Sequence, residues 1–218
     1  LGTRGLRSGN GLHCSQPEQI RMTKHKSQDE RRSQILAAAK RCFIRNGYAD
    51  TRVDDIAAEA ELSKGGIYFH FKSKRAILDA LHSEQQAETM RLVDTAGRVE
   101  GGAIEQLRSL ATQLLNHFSL ADDRRKFLIV LAEMGIRDPQ LHNMVLTGHA
   151  RYVESLTKQV QAGIDEGAFR DVDAAQAALL LKLIIDGIEQ ALALGYQVDV
   201  PALLFQGLDI ILNGLAKR

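Results

Sequence analysis

A chain of 218 residues with 25% charged and 44% hydrophobic side chains has room for one large domain or two small ones. Its formal net charge is only +1, yet residues 1–80 carry 15 Lys/Arg against 9 Asp/Glu, and residues 81–218 carry 13 against 18. A basic front and an acidic back assign any polyanionic partner to the front, while the two cysteines exclude a disulfide scaffold and fit a reducing cytoplasm.

Residues 1–27 begin LGTRGLRSGNGLHC, lack a signal-peptide core and read as a disordered, basic arm that includes Lys26. Met22, just before the first patterned segment, is a candidate start, which would make 1–21 an upstream extension.

The first helix is predicted from Gln28 to Asn46, with Ile35, Ala38, Ala39, Cys42 and Phe43 at helical spacing and Gly47 ending it. Cys42 is then a buried free thiol. A second helix runs from about Arg52 to Ala60, capped by Thr51 with Asp54 as its box acid. After the Glu61-Leu62 turn, a third covers Ser63 or Lys64 to about His70, with Ser63 as cap. Gly65 and Gly66 each cost about 1 kcal/mol relative to Ala in a helix interior, a cost that makes sense where a helix end must approach a base or a phosphate. Phe71 reads as core; Tyr68 and His70 read as surface. A fourth helix starts at Ser73, with Lys74 and Arg75 in its first turn, where positive charge opposes the dipole unless a phosphate is near. Two short helices, a tight turn and a basic loop are how a small domain presents one helix to the major groove and holds the flanking phosphates.

Five more helices are expected: 103–118, 122–134, 140–166 after a break at 135–139, 174–194 and 200–215. No strand candidate or internal repeat is found. The run 174–194 is the longest apolar stretch, but Lys182, Asp186 and Glu189 interrupt it, so no membrane span is expected. The last two helices are apolar over more than half their surface, which means burial on two sides. Leu181, Ile184, Gly187, Ile188, Leu204, Leu208, Ile211 and Leu215 are the candidates for a two-fold four-helix interface, against the alternative of an ordinary helix pair buried within one subunit.

Residues 28–80, with Gly47-Tyr48, Thr51, Val53-x-x-Ile56-Ala57, Ser63-Lys64-Gly65, Ile67-Tyr68-x-His70-Phe71, Lys74 and Leu78, resemble the N-terminal domain of the TetR family of bacterial transcriptional regulators. The resemblance implies an all-α protein. Residues 28–81 would form a three-helix, helix-turn-helix DNA-binding domain, and 82–218 a helical effector-binding and dimerisation domain. It implies that Ser63, Lys64, Gly65 and Gly66 face bases or phosphates, that Tyr68, His70 and Lys74 contact phosphate, and that Thr51 and Arg52 flank the backbone. Many relatives carry Ser or Thr where Arg52 stands. Read physically, Lys64 suits guanine acceptors, but it is equally a solubilising surface residue; Tyr68 is equally core support and His70 a helix-end cap.

The resemblance also implies an effector cavity between the fourth and seventh helices. Met90, Leu114, Phe118, Phe127, Leu131, Met134, Met144 and Tyr152 are the candidate lining, though each such residue is more often plain core, and the few aromatics and scattered charges of this part favour a mostly apolar small molecule. Asp186 and Glu189 are left to the interface or to a cationic effector. His142 and His149 share a helix face and His117 is a possible third ligand, but without a tight pair or a nearby cysteine a metal site is not expected. No cofactor is expected. No phosphate loop, dinucleotide fingerprint, zinc-protease motif or nucleophile elbow is present, which argues against an enzyme. The expected function is a cytoplasmic, nucleoid-bound homodimeric repressor that grips a palindromic operator and is released by a small molecule. The alternative is a helical interaction module whose helix-turn-helix serves only packing.

Overall fold

The computed structural model describes residues 27–120 and 122–215, so the arm with Lys26 and Cys14 lies outside the described residues, as does the side chain of Leu215. Among the described residues the chain is all-α, in nine helices: α1 (Gln28–Asp50), α2 (Val53–Glu59), α3 (Lys64–His70), α4 (Lys74–Ala96), α5 (Gly102–Leu120), α6 (Asp122–Arg137), α7 (Pro139–Asp165), α8 (Ala174–Ala193) and α9 (Val200–Leu215).

Local chemistry sets most boundaries. Ser27 and Glu30 close a reciprocal capping box at the start of α1: the Glu30 amide donates to Ser27 Oγ at 3.2 Å, and the Ser27 amide donates to Glu30 Oε2 at 2.7 Å. Ser63 and Ser73 cap α3 and α4 by accepting from the Gly66 and Ala76 amides at 3.1 and 3.0 Å. The regular first helix ends at Gly47 as expected, where a φ of +75° kinks the chain before the short final stretch to Asp50. Two boundaries differ from the sequence-based expectation. Helix α2 is capped at Arg52, not Thr51, and the box acid is Asp55, whose Oδ2 accepts from the Arg52 amide at 2.7 Å. Helix α6 passes through Gly135 to Arg137; the break belongs to Asp138, which caps α7 through the Gln140 and Leu141 amides, and to Pro139, which has no amide to satisfy.

Two apolar cores organise the molecule. The first joins Ile35, Ala39 and Phe43 of α1, Ile56 of α2, Ile67 of α3 and Ile77, Leu78 and Leu81 of α4. It does not close on itself, because Phe127, Val130 and Leu131 of α6 and Leu141 of α7 complete it. The second core joins the far end of α4 (Val93, Ala96) to α5, α7, α8 and α9. Helix α4 therefore runs from one core into the other.

Candidate nucleic-acid interface and internal cavity

The helix-turn-helix presents α3 outward. Ile67 is buried, while Ser63, Lys64, Gly65 and Tyr68 are exposed and Phe69 is 73% exposed. His70 is half-buried and edge-on to Phe69, with ring centroids 5.1 Å apart. Nothing in the folded chain requires hydrogen side chains at Gly65 and Gly66, since a Cβ at Gly66 would sit in ordinary contact, 3.5 Å from Ser63 Oγ. The Lys64 ammonium meets Asp54 Oδ2 at 2.8 Å with both side chains more than half exposed, and this bond pushes the Lys64 pKa up. An exposed pair of this kind is weak and readily exchanged. Arg52 and Lys72 are further exposed cations near this face, and Arg32 lies over the Phe71 ring at 4.4 Å.

Two residues expected at the DNA backbone are spent inside the protein. Thr51 is 1% exposed, and its hydroxyl donates to the Gly47 carbonyl at 2.6 Å. Lys74 folds back over the end of α1: its ammonium donates to the carbonyls of Tyr48, Ala49 and Thr51 at 2.6, 3.1 and 2.6 Å and lies 4.4 Å above the Tyr48 ring. Burial lowers its pKa. A cation on the unpaired carbonyls of a helix C-terminus satisfies both their hydrogen bonding and the dipole. The Lys74 side chain is thus a helix cap, with no donor left for a phosphate.

Below this head lies a cavity of about 330 Å³ walled by α4, α6, α7 and α8. Of the expected lining residues, Met90, Leu131 and Tyr152 line it. The others do not. Phe127 is fully buried in the first core and stacks on Phe43, and Met134 packs against that core. Phe118 belongs to the second core, and Leu114 lines a separate space of about 50 Å³ between α5, α8 and α9. Met144 is half-buried elsewhere on α7. The expectation of a nearly apolar wall is corrected too, because a layer of charge crosses the cavity. Arg124 of α6 forms a buried ion pair with Glu189 of α8 and donates to Thr89 Oγ1 of α4 at 2.7 Å. Lys182 pairs with Asp186 one turn along α8, and its ammonium sits 5.0 Å above the Tyr152 ring. His149 Nδ1 lies 3.8 Å from Asp186 Oδ2. Burial pushes the Glu189 carboxyl up against the opposing pull of Arg124, and it pushes the His82, His117 and His149 imidazoles down. Charged residues are exposed by default, so a sequence alone does not announce this layer; its one trace was the trio Lys182, Asp186 and Glu189 interrupting an apolar helix. Asp186 and Glu189 line the cavity. Among the described residues no cluster of His, Cys, Asp and Glu is arranged to hold a metal ion, and His142 stands exposed. No helix among them is long and apolar enough to cross a membrane.

The outer face of α8 and α9 is also redrawn. Leu181, Ile188, Leu204 and Leu208 point into the subunit's own core, and Ile211 packs against it. Ile184 and Gly187 face outward, joined by Leu180, Leu183, Leu194, Leu203 and Ile210, the last 73% exposed.

Comparison with known proteins agrees with this architecture. Residues 35–81 match the family model for bacterial regulatory proteins of the tetR family. The transcriptional regulator TtgR of Pseudomonas putida is 31% identical over 180 residues, covering 78% of this chain and 82% of that protein. The fatty acid metabolism regulator protein of Bacillus subtilis is 28% identical, over 85% of this chain and 95% of its own. A protein from Saccharomonospora viridis, solved in complex with choline, superposes with a TM-score of 0.74 at 28% identity, covering 88% of this chain and all of that one. With its outward third helix, its shared α4 and this similarity along most of its length, the chain belongs to the TetR family of bacterial regulatory proteins: it is a helix-turn-helix, DNA-binding transcriptional regulator and not an enzyme.

Proposed function

We propose that this regulator is a homodimeric repressor that binds a palindromic operator through the major groove and lets go when a small molecule fills the cavity. One observation carries the reading: α4 and α6 each belong to both the DNA-reading core and the cavity wall. In α4, Ile77, Leu78 and Leu81 pack under the reading head, while Gln85, Gln86, Thr89 and Met90 face the cavity one turn further on. In α6, Phe127 and Val130 pack under the head, while Arg124 and Leu128 line the cavity. A ligand that prefers one setting of these two helices shifts the head, because packed helices move as bodies.

In this reading Lys64 reads base edges, Ser63, Gly65 and Gly66 bring the start of α3 close to the duplex, and Arg52, Tyr68 and His70 hold phosphates. The outward leucines and isoleucines of α8 and α9 form the two-fold interface, since two heads on one face need a symmetric partner. A place on the cytoplasmic nucleoid follows.

Selection from random duplexes tests the whole reading. The wild type is expected to enrich an inverted repeat, and Leu183→Arg to yield a folded monomer in sedimentation that enriches none. Equal enrichment by both proteins would remove the dimer from the reading, and no enriched sequence at all would remove the operator.

A further inference from the structure

We infer that the cavity is built for an uncharged molecule with an apolar body and one amide or hydroxyl group, which is read by Gln85 and Tyr152. The inference rests on the ligand-responsive reading above and narrows it to a chemical class.

Two uncharged side chains in the wall carry buried polar atoms with no hydrogen-bond partner in the protein. Gln85 of α4 is 7% exposed, and neither its Nε2 nor its Oε1 meets a hydrogen-bonding group of the chain. Tyr152 of α7 is 3% exposed, and its hydroxyl is likewise unmatched. Burial raises the phenol pKa, so the group stays an O–H. A buried amide and a buried hydroxyl offer donors and acceptors together, and each is expensive to keep without a partner. In an apolar core a leucine and a phenylalanine would serve better at these two positions. Groups retained at such cost next to a cavity mark what the cavity is meant to hold.

The charged side chains in the same wall are already paired through their terminal nitrogens and oxygens, and only the Nε atoms of Arg124 and Arg125 are left without an acceptor. Arg124 is held by Glu189 and Thr89, Lys182 by Asp186, and Arg125 by the Phe118 carbonyl and Asp122. An anionic ligand would have to draw Arg124 away and leave the Glu189 carboxylate buried alone, or compete for Lys182 with the half-buried Asp186; a cationic one would have to draw Glu189 away and leave Arg124 alone. Breaking a buried pair from one side is strongly unfavourable. A neutral ligand leaves both pairs intact and supplies what Gln85 and Tyr152 lack. Leu128, Ile129 and Val145 give its body an apolar bed, and about 330 Å³ suits one or two rings.

Four probes on one skeleton separate the chemistries: naphthalene, its 2-carboxamide, its 2-carboxylate and its 2-methylammonium derivative, each titrated calorimetrically into the full-length protein. The carboxamide is expected to bind about tenfold tighter than either charged probe, or more. Gln85→Leu should cost the carboxamide about tenfold in affinity, leave naphthalene unchanged and raise the thermal midpoint of the free protein. Tyr152→Phe, which removes one oxygen, gives the same test with less risk to folding. The inference is overturned if a charged probe binds as tightly as the carboxamide, if both variants keep wild-type carboxamide affinity, or if no probe binds. A DNA-binding assay on the same preparations keeps the two readings apart. Specific DNA binding without the probe preference sinks this inference alone, whereas loss of specific DNA binding sinks the repressor reading.

Discussion

Phe43 of α1 and Phe127 of α6 stack with ring centroids 6.5 Å apart and planes 18° from parallel, both fully buried. The contact fastens the DNA-reading head to the helix that carries Arg124 and Leu128 into the cavity. Phe127→Ala should lower stability by about 3–5 kcal/mol, from lost burial and the hole left behind, as read by urea unfolding. Phe127→Leu should keep the fold yet reduce the ratio of DNA affinities with and without ligand. An unchanged ratio would mean that α6 does not carry the signal.

Lys74 closes the end of α1 through three carbonyls. Lys74→Ala should cost about 1–3 kcal/mol, the usual result of stranding partly buried carbonyls. Its DNA affinity per folded molecule, and the slope of that affinity against salt, should match the wild type. A shallower slope would return Lys74 to the phosphate backbone.

Lys64 and Asp54 make the opposite case, since both are exposed and weakly held. Lys64→Ala should leave the unfolding midpoint nearly unchanged but relax operator selectivity about tenfold, through a lost base contact. Asp54→Asn should release the ammonium and tighten DNA binding. Competition shifts with cognate and scrambled duplexes check both.

Stability should fall on mild acidification. Burial depresses His82 and His117 below the usual 6.5, with Asp79 opposing at His82; at His117 Arg124 and Arg125 add to the fall and Glu88 opposes it. The unfolded chain therefore binds more protons just below that value, so stability held at neutral pH is lost as pH drops from 6.5 toward the folded values. Glu189, raised by burial, acts in the other direction as pH approaches its ordinary 4.5. The urea midpoint should decline between about pH 7 and 5.5, and His82→Gln with His117→Gln should flatten that decline.

Much of this was legible before the fold. The period of Ile35, Ala38, Ala39, Cys42 and Phe43 marks the inner face of α1, and Ser63 and Ser73 mark helix starts because a hydroxyl before a helix has one obvious use. The outward face was not legible, because α8 and α9 are apolar on both sides, so Leu181 and Leu180 look alike until packing buries one and leaves the other 55% exposed. Phe127 was misplaced for a related reason: an apolar residue on α6 fits a core or a cavity equally well, and only the packing of α1 decides. The inward contacts of Thr51 and Lys74 were not legible, because a short polar chain and a long cation face inward only when backbone carbonyls await them.

The most direct test of the account is a mobility shift of the purified protein on the promoter DNA flanking its own gene, with scrambled duplex in excess. The account predicts a discrete, salt-sensitive complex carrying a protein dimer, resistant to the scrambled competitor. A folded protein that binds both duplexes alike, or neither, would contradict it.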